Sequence, residues 1–248
     1  MEKSFDEHLH GHPALSDTDF VADNYRRILD DINNACLTVG RKADEVTLLG
    51  VTKTVDAPRI NRVIQEGLTH IGENRVQEFL GKRSFLHLNG VNTHLIGHLQ
   101  TNKVPKIVGE VDMIESIDSI RLAQAVAAAA QRAGVTMDVL VEVNIGGEAS
   151  KSGVSPDMLE DLLWQIGLLP GLHIKGLMTI LPILDDDREK RRFFSQMYKL
   201  FIDIKSKSID NINMSVLSMG MSADYVQAIQ EGATLIRVGS ALFGKRTY

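Results

Sequence analysis

Short apolar runs recur along the chain, and amphipathic stretches with helical spacing separate them. The runs at 47–54, 69–72, 93–97, 112–117, 138–145, 173–180, 215–220 and 234–240 predict strands. The stretches at 57–67, 74–85, 100–109, 119–133, 156–167, 187–208 and 222–232 predict the helices between them. A further helix is predicted over 19–39, with Tyr25, Ile28, Leu29, Ile32 and Cys36 on one face. Alternation of strand and helix implies a parallel sheet covered on its faces. Eight strands in a chain of this length predict an α/β fold, a single (β/α)8 TIM-type barrel with an extra N-terminal helix. A doubly wound open sheet is the alternative. Residues 1–17, polar and rich in histidine, are expected to form a flexible lead-in, and no Pro-, Gly- or Ser-rich linker divides 18–248.

Composition narrows the function classes. The 248 residues are 44% hydrophobic and 24% charged, ordinary values for a globular protein. A net charge of −5 with interspersed signs argues against a general nucleic-acid or membrane surface. One cysteine, Cys36, excludes an internal disulfide framework and multi-cysteine metal sites. With no membrane-length apolar run and no signal-peptide hydrophobic region, the expected location is the cytoplasm.

The C-terminal pattern adds chemistry. Ser218, Gly220 and Ser222 follow the seventh predicted strand, and Gly239 and Ser240 close the eighth. Glycines admit a ligand close to the backbone, and the last two strand-to-helix loops of such barrels commonly hold phosphate. Lys53, near the end of the first strand, shares the parity of Leu49 and Val51. If that side is the interior, its amine points into the mouth, where desolvation favours a neutral nucleophile able to condense with an aldehyde. The plain alternative is a lysine reaching solvent along its stem. Arg237, on the last strand, reads either as an internal ion pair with Glu142 or Glu73 or as a donor to a ligand beside the phosphate turn.

Asn74 suits a helix N-cap with Gln77 three residues on, a pattern that leaves Glu73 unexplained. His98 follows the third strand, and 144–153 forms a glycine-rich loop suited to the rim. The segment from Gly239 to Arg246 nearly spells a nucleotide-binding P-loop, but Arg246 stands where Ser or Thr is required and no helix is predicted after it. His8, His10 and His12 offer only an incidental metal site.

Together, the blocks at 51–54, 71–78, 94–103, 143–153, 176–180, 217–225 and 236–244 resemble the YggS/PROSC family of pyridoxal phosphate homeostasis proteins, whose barrel is similar to the N-terminal domain of alanine racemase. The resemblance implies that Lys53 holds pyridoxal 5′-phosphate (PLP) as a Schiff base. It further implies that Ser218, Met219, Gly239 and Ser240 surround the phosphate, that Arg237 faces the pyridine nitrogen and that Asn74 lies beside the ring. Arginine stays protonated, so it donates to that nitrogen without placing a proton on it, and the ring is a weaker electron sink.

Three functions compete. A PLP carrier would hold the aldehyde on one lysine and buffer or deliver it, with PLP-dependent apoenzymes as the expected recipients. A PLP-dependent amino-acid racemase of the alanine racemase type needs a second acid–base group across the substrate carbon. In the racemases a tyrosine from an additional C-terminal domain of the dimer supplies it. No such domain is expected after the eighth strand here, and a monomer without catalytic turnover is expected. A Schiff-base aldolase on a phosphosugar fits Lys53 but not Arg237.

Overall fold

The computed structural model describes residues 18–148 and 151–244. The histidine-rich segment 1–17 and the C-terminal residues 245–248 lie outside the described residues. Eight parallel strands close into one barrel in sequence order: β1 (Thr47–Val51), β2 (His70–Glu73), β3 (Asn92–Leu95), β4 (Met113–Ile117), β5 (Met137–Glu142), β6 (Leu172–Met178), β7 (Ile212–Met221) and β8 (Leu235–Val238). Closure is made by β1 on β8, with Leu49 opposite Arg237. The open-sheet alternative is thereby excluded.

The helices are α1 (Asp19–Thr38), α2 (Ala57–Gln65), α3 (Val76–Lys82), α4 (Val104–Ile107), α5 (Ile120–Ala133), α6 (Pro156–Gly167), α7 (Asp187–Ser206), α8 (Tyr225–Gln230) and α9 (Ser240–Phe243). Local chemistry sets several boundaries. Asp56 accepts the Arg59 amide ahead of α2, whose second residue is Pro58, and Ser119 accepts the Leu122 amide ahead of α5. Gly134 ends α5 in the left-handed conformation. The single turn of α9 was not expected from the sequence, because four residues are too few to show a helical period.

α1 buries Val21, Tyr25, Ile28, Ile32, Ala35 and Cys36 against α2, α8 and α9, while Leu29 of the predicted face is 41% exposed. Each fully buried Ile contributes about 1.5–3 kcal/mol relative to exposure. Most of the core lies between sheet and helices. Inside the barrel the apolar filling is smaller: Leu49, Val51, Ile96 and Leu235 form one group, and Met113, Leu140 and Met178 another. At Gly176 an added Cβ would lie 1.8 Å from the Val216 carbonyl oxygen, so a glycine is required where β6 and β7 shift register. No described helix is long and apolar enough to cross a membrane.

Candidate functional site

At the end of the barrel where the strands finish lies a cavity of about 300 Å³. Lys53, Asn74, His98, Glu142, Lys151 and Arg237 bring polar groups to it, and Val51, Ile96, Ile180 and Met221 supply apolar wall. β1 ends two residues before Lys53, which the sequence placed within the strand. Lys53 sits instead in a turn closed by the Val55 amide on the Thr52 carbonyl (3.0 Å), followed by Thr54 at φ 61°. The turn leaves Lys53 half-buried at the cavity wall, the side that strand parity had indicated.

Arg237 is buried and reaches the cavity from β8. Its guanidinium donates to the Thr179 carbonyl (2.7 Å) and the Ser218 hydroxyl (2.5 Å). Ser218 in turn donates to Glu115 Oε2 (2.6 Å), and Glu115 Oε1 meets His94 Nδ1 at 2.6 Å. This chain of polar groups crosses the barrel interior with Glu115 and Ser218 both 0% exposed. Glu115, not Glu142 or Glu73, is therefore the carboxylate nearest Arg237, at 3.9 Å. Burial opposes ionisation of Glu115, but His94, Arg237 and Ser218 outweigh it and lower its pKa. Burial lowers that of Arg237, with Glu115 and Glu142 opposing. A buried ion pair of this kind is tolerated because its hydrogen-bonding groups are met.

The two C-terminal turns meet, with a different hydroxyl at their junction from the one selected from the sequence. Ser222 Oγ accepts from the amides of Gly239 (3.1 Å) and Ala241 (3.3 Å). Two main-chain donors thus converge on one oxygen, the arrangement an anionic oxygen requires. Ser240 is exposed at the same turn. Ser218 is four residues away along β7, inside the barrel and committed to Glu115 and Arg237. Met219, 0% exposed, packs into the outer core. The structure brings Gly239, Ser240 and Ser222 together and leaves Ser218 and Met219 apart from them. Strand parity carried the needed signal: Ser218 shares the interior side with Arg237, whereas Ser222 follows the strand end.

Asn74 does not cap α3. The N-cap is Arg75, with no side-chain cap bond, so the capping explanation for Asn74 falls away and its half-buried amide lines the cavity. Gly97 makes this possible, since an added Cβ would lie 2.3 Å from the Asn74 carbonyl oxygen. Glu73 faces outward, against Thr52 and Lys82. Glu142 is the group sequence reading underrated. Burial, with Asp118 adding to it and Arg237 opposing, raises its pKa to about 7. It is thus able to hold or release a proton at the cavity wall near neutral pH. Lys151, on the rim loop, donates to the Leu181 carbonyl (3.1 Å), and Ser152 meets His98 Nδ1 at 3.2 Å.

A mouth with an amine, an arginine and a glycine-bearing amide turn defines a ligand-binding α/β barrel, and known proteins share its fold. The alanine racemase N-terminal domain matches residues 27–247. The pyridoxal phosphate homeostasis protein of Aquifex aeolicus is 41% identical over 222 residues, covering 90% of this chain and 96% of the relative. A solved structure of an unknown protein from Bifidobacterium adolescentis superposes with a TM-score of 0.88 at 38% identity, covering 94% of this chain and 98% of that one. PipY of Synechococcus elongatus, solved with PLP bound, gives a TM-score of 0.79 at 31% identity, covering 90% of this chain and 100% of that one. The chain belongs to the pyridoxal phosphate homeostasis protein family, built on the alanine racemase N-terminal domain.

Proposed function

We propose that this protein binds PLP at the barrel mouth, holds it as a Schiff base on Lys53, and buffers or delivers it to PLP-dependent apoenzymes. The observation that carries this reading is the placement of Lys53 and Arg237 on one cavity, with the converging amides of Gly239 and Ala241 at the end of the same strand as Arg237. The donor set fits the group: PLP brings an aldehyde for an amine, a phosphate for main-chain donors and a ring nitrogen for a side-chain donor.

Each residue then has a physical task. The Gly239–Ala241 turn and Ser222 bind the phosphate, with Ser240 at its exposed side. Asn74 and Ile96 line the wall beside the ring. Arg237, oriented by Ser218 and the Thr179 carbonyl, donates to the ring nitrogen and cannot place a proton on it at neutral pH. That arrangement limits carbanion stabilisation and favours holding over turnover. Glu142 sets the proton balance of the cavity.

Titration of the PLP-free protein with PLP and with pyridoxal tests the reading through visible absorbance. PLP is expected to bind far more tightly than pyridoxal and to develop a visible band that borohydride abolishes. Equal affinity for the two compounds, or no band, would remove the proposed site. Assays across D- and L-amino acids distinguish a carrier from a racemase, and sustained turnover would contradict the carrier reading.

A further inference from the structure

The stretch Gly72–Glu78 contains two carboxylates that the cavity does not use, and both act on the turn that carries Lys53. On the outer face of β1, Thr52 Oγ1 donates to Glu73 Oε1 (2.6 Å) and Lys82 Nζ lies 2.7 Å from the same oxygen. Lys82 also donates to the Thr52 carbonyl (2.9 Å) and the Val55 carbonyl (3.3 Å). Its fourth partner is Glu78 Oε1 (2.9 Å), which itself accepts the Thr54 amide (2.5 Å). Both neighbours of Lys53 are thus held from behind by one cluster, whose ammonium is shared between the start and the end of the turn.

We propose that Glu73, Glu78 and Lys82 are positioning residues for Lys53, forming a clamp that presents its amine to the cavity in a single direction. This deepens the function above and rests on Lys53 being the amine that holds PLP. The clamp has something to hold: Thr54 is a β-branched residue at φ 61°, a conformation such residues avoid unless their surroundings enforce it. It is also built to last, since Glu73 is 1% exposed and Thr52 0%. Burial raises the pKa of Glu73 despite Lys82 and Thr52, whereas at Glu78 the Thr54 amide and Lys82 overcome burial and lower it. The two carboxylates therefore differ, with Glu78 the firmer anion at the point where the backbone is most constrained. A loosened turn would let the amine sample directions in which it cannot reach the aldehyde, and small misplacements of a reacting group are costly.

The test uses PLP-loaded protein. Lys82→Met keeps an unbranched apolar stem and removes the ammonium from all its partners. PLP release on dilution is expected to accelerate about tenfold, and the pH midpoint of the visible band to move. Lys82→Arg, which keeps charge and donors, is expected to recover part of both. A folded Lys82→Met protein with unchanged release rate and unchanged midpoint would overturn the clamp. If Lys82→Met does not fold, Glu78→Ala carries the same test, because Glu78 is partly exposed and touches the turn only at Thr54. Borohydride reduction of the unsubstituted protein separates the two levels of the claim. If Lys53 is not labelled, the underlying function fails; if it is labelled and neither variant releases PLP faster, the clamp alone fails.

Discussion

Where β1 and β8 finish, the cavity wall carries Lys53, Lys151 and Arg237 against one carboxylate, Glu142; where those strands start, a second cavity carries Glu45, Asp112 and Asp138 beside His70 and His94. The two cavities are similar in size, about 300 and 230 Å³, so volume does not distinguish them. Charge does. On the proposed function, a phosphorylated aldehyde would meet amine, guanidinium and main-chain donors at the first end and mainly carboxylates at the second. The buried chain from Arg237 through Ser218 and Glu115 to His94 joins the ends, so one polar network serves as the floor of both.

The ends also respond to opposite changes of pH. At the mouth, Glu142 has its pKa raised from 4.5 to about 7, so the stability of its protonated form is fully present below pH 4.5 and is lost as pH rises through about 7. At the other end, burial, reinforced by His94, lowers the pKa of His70 from 6.5 to about 4. The neutral imidazole contributes stability that is fully present above pH 6.5 and is lost as pH falls through about 4.

The comparison is broken most severely at Lys53. Lys53→Ala should yield a folded protein with unchanged melting behaviour and no visible band when PLP is added. Retention of the band would mean that another amine, not the mouth lysine, defines the difference between the ends. Next in size is Glu142→Gln, measured without PLP. It should remove most of the stability loss between pH 5 and pH 8, a difference of about 2.5 kcal/mol by linkage. Parallel pH dependence of wild-type and variant melting would show that Glu142 does not titrate in that window.

A smaller effect separates the phosphate turn from the barrel interior. Ser222→Ala and Ser240→Ala should each weaken PLP binding by about 1–2 kcal/mol and leave pyridoxal binding nearly unchanged, because only PLP carries the phosphate. Ser218→Ala should instead affect both ligands alike, through Arg237. If Ser218→Ala selectively weakens PLP, the turn has been drawn around the wrong hydroxyl.

The barrel was legible in the sequence because amphipathic stretches with helical spacing separate its eight apolar runs. α9 was not, since four residues are too few to show a helical period, and α4 fills only part of the helix predicted over 100–109. Lys53 and Arg237 were found through strand parity, which survives a misplaced strand end: β1 stops at Val51, yet Lys53 stays on the cavity side. Parity alone could not show that Glu115, more than a hundred residues from Ser218, would claim that hydroxyl inside the barrel. Glu73 stayed unexplained for the same reason, since Thr52 and Lys82 become its partners only when β1, β2 and α3 pack together.

The central claim is that the mouth amine of Lys53 holds PLP. It is tested most directly by loading the protein with PLP, reducing with borohydride and measuring the masses of its tryptic peptides. The account predicts that the reduced pyridoxyl phosphate adduct resides on the peptide containing Lys53. Dominant labelling of Lys103 or Lys151, or no stoichiometric label on any peptide, would contradict it.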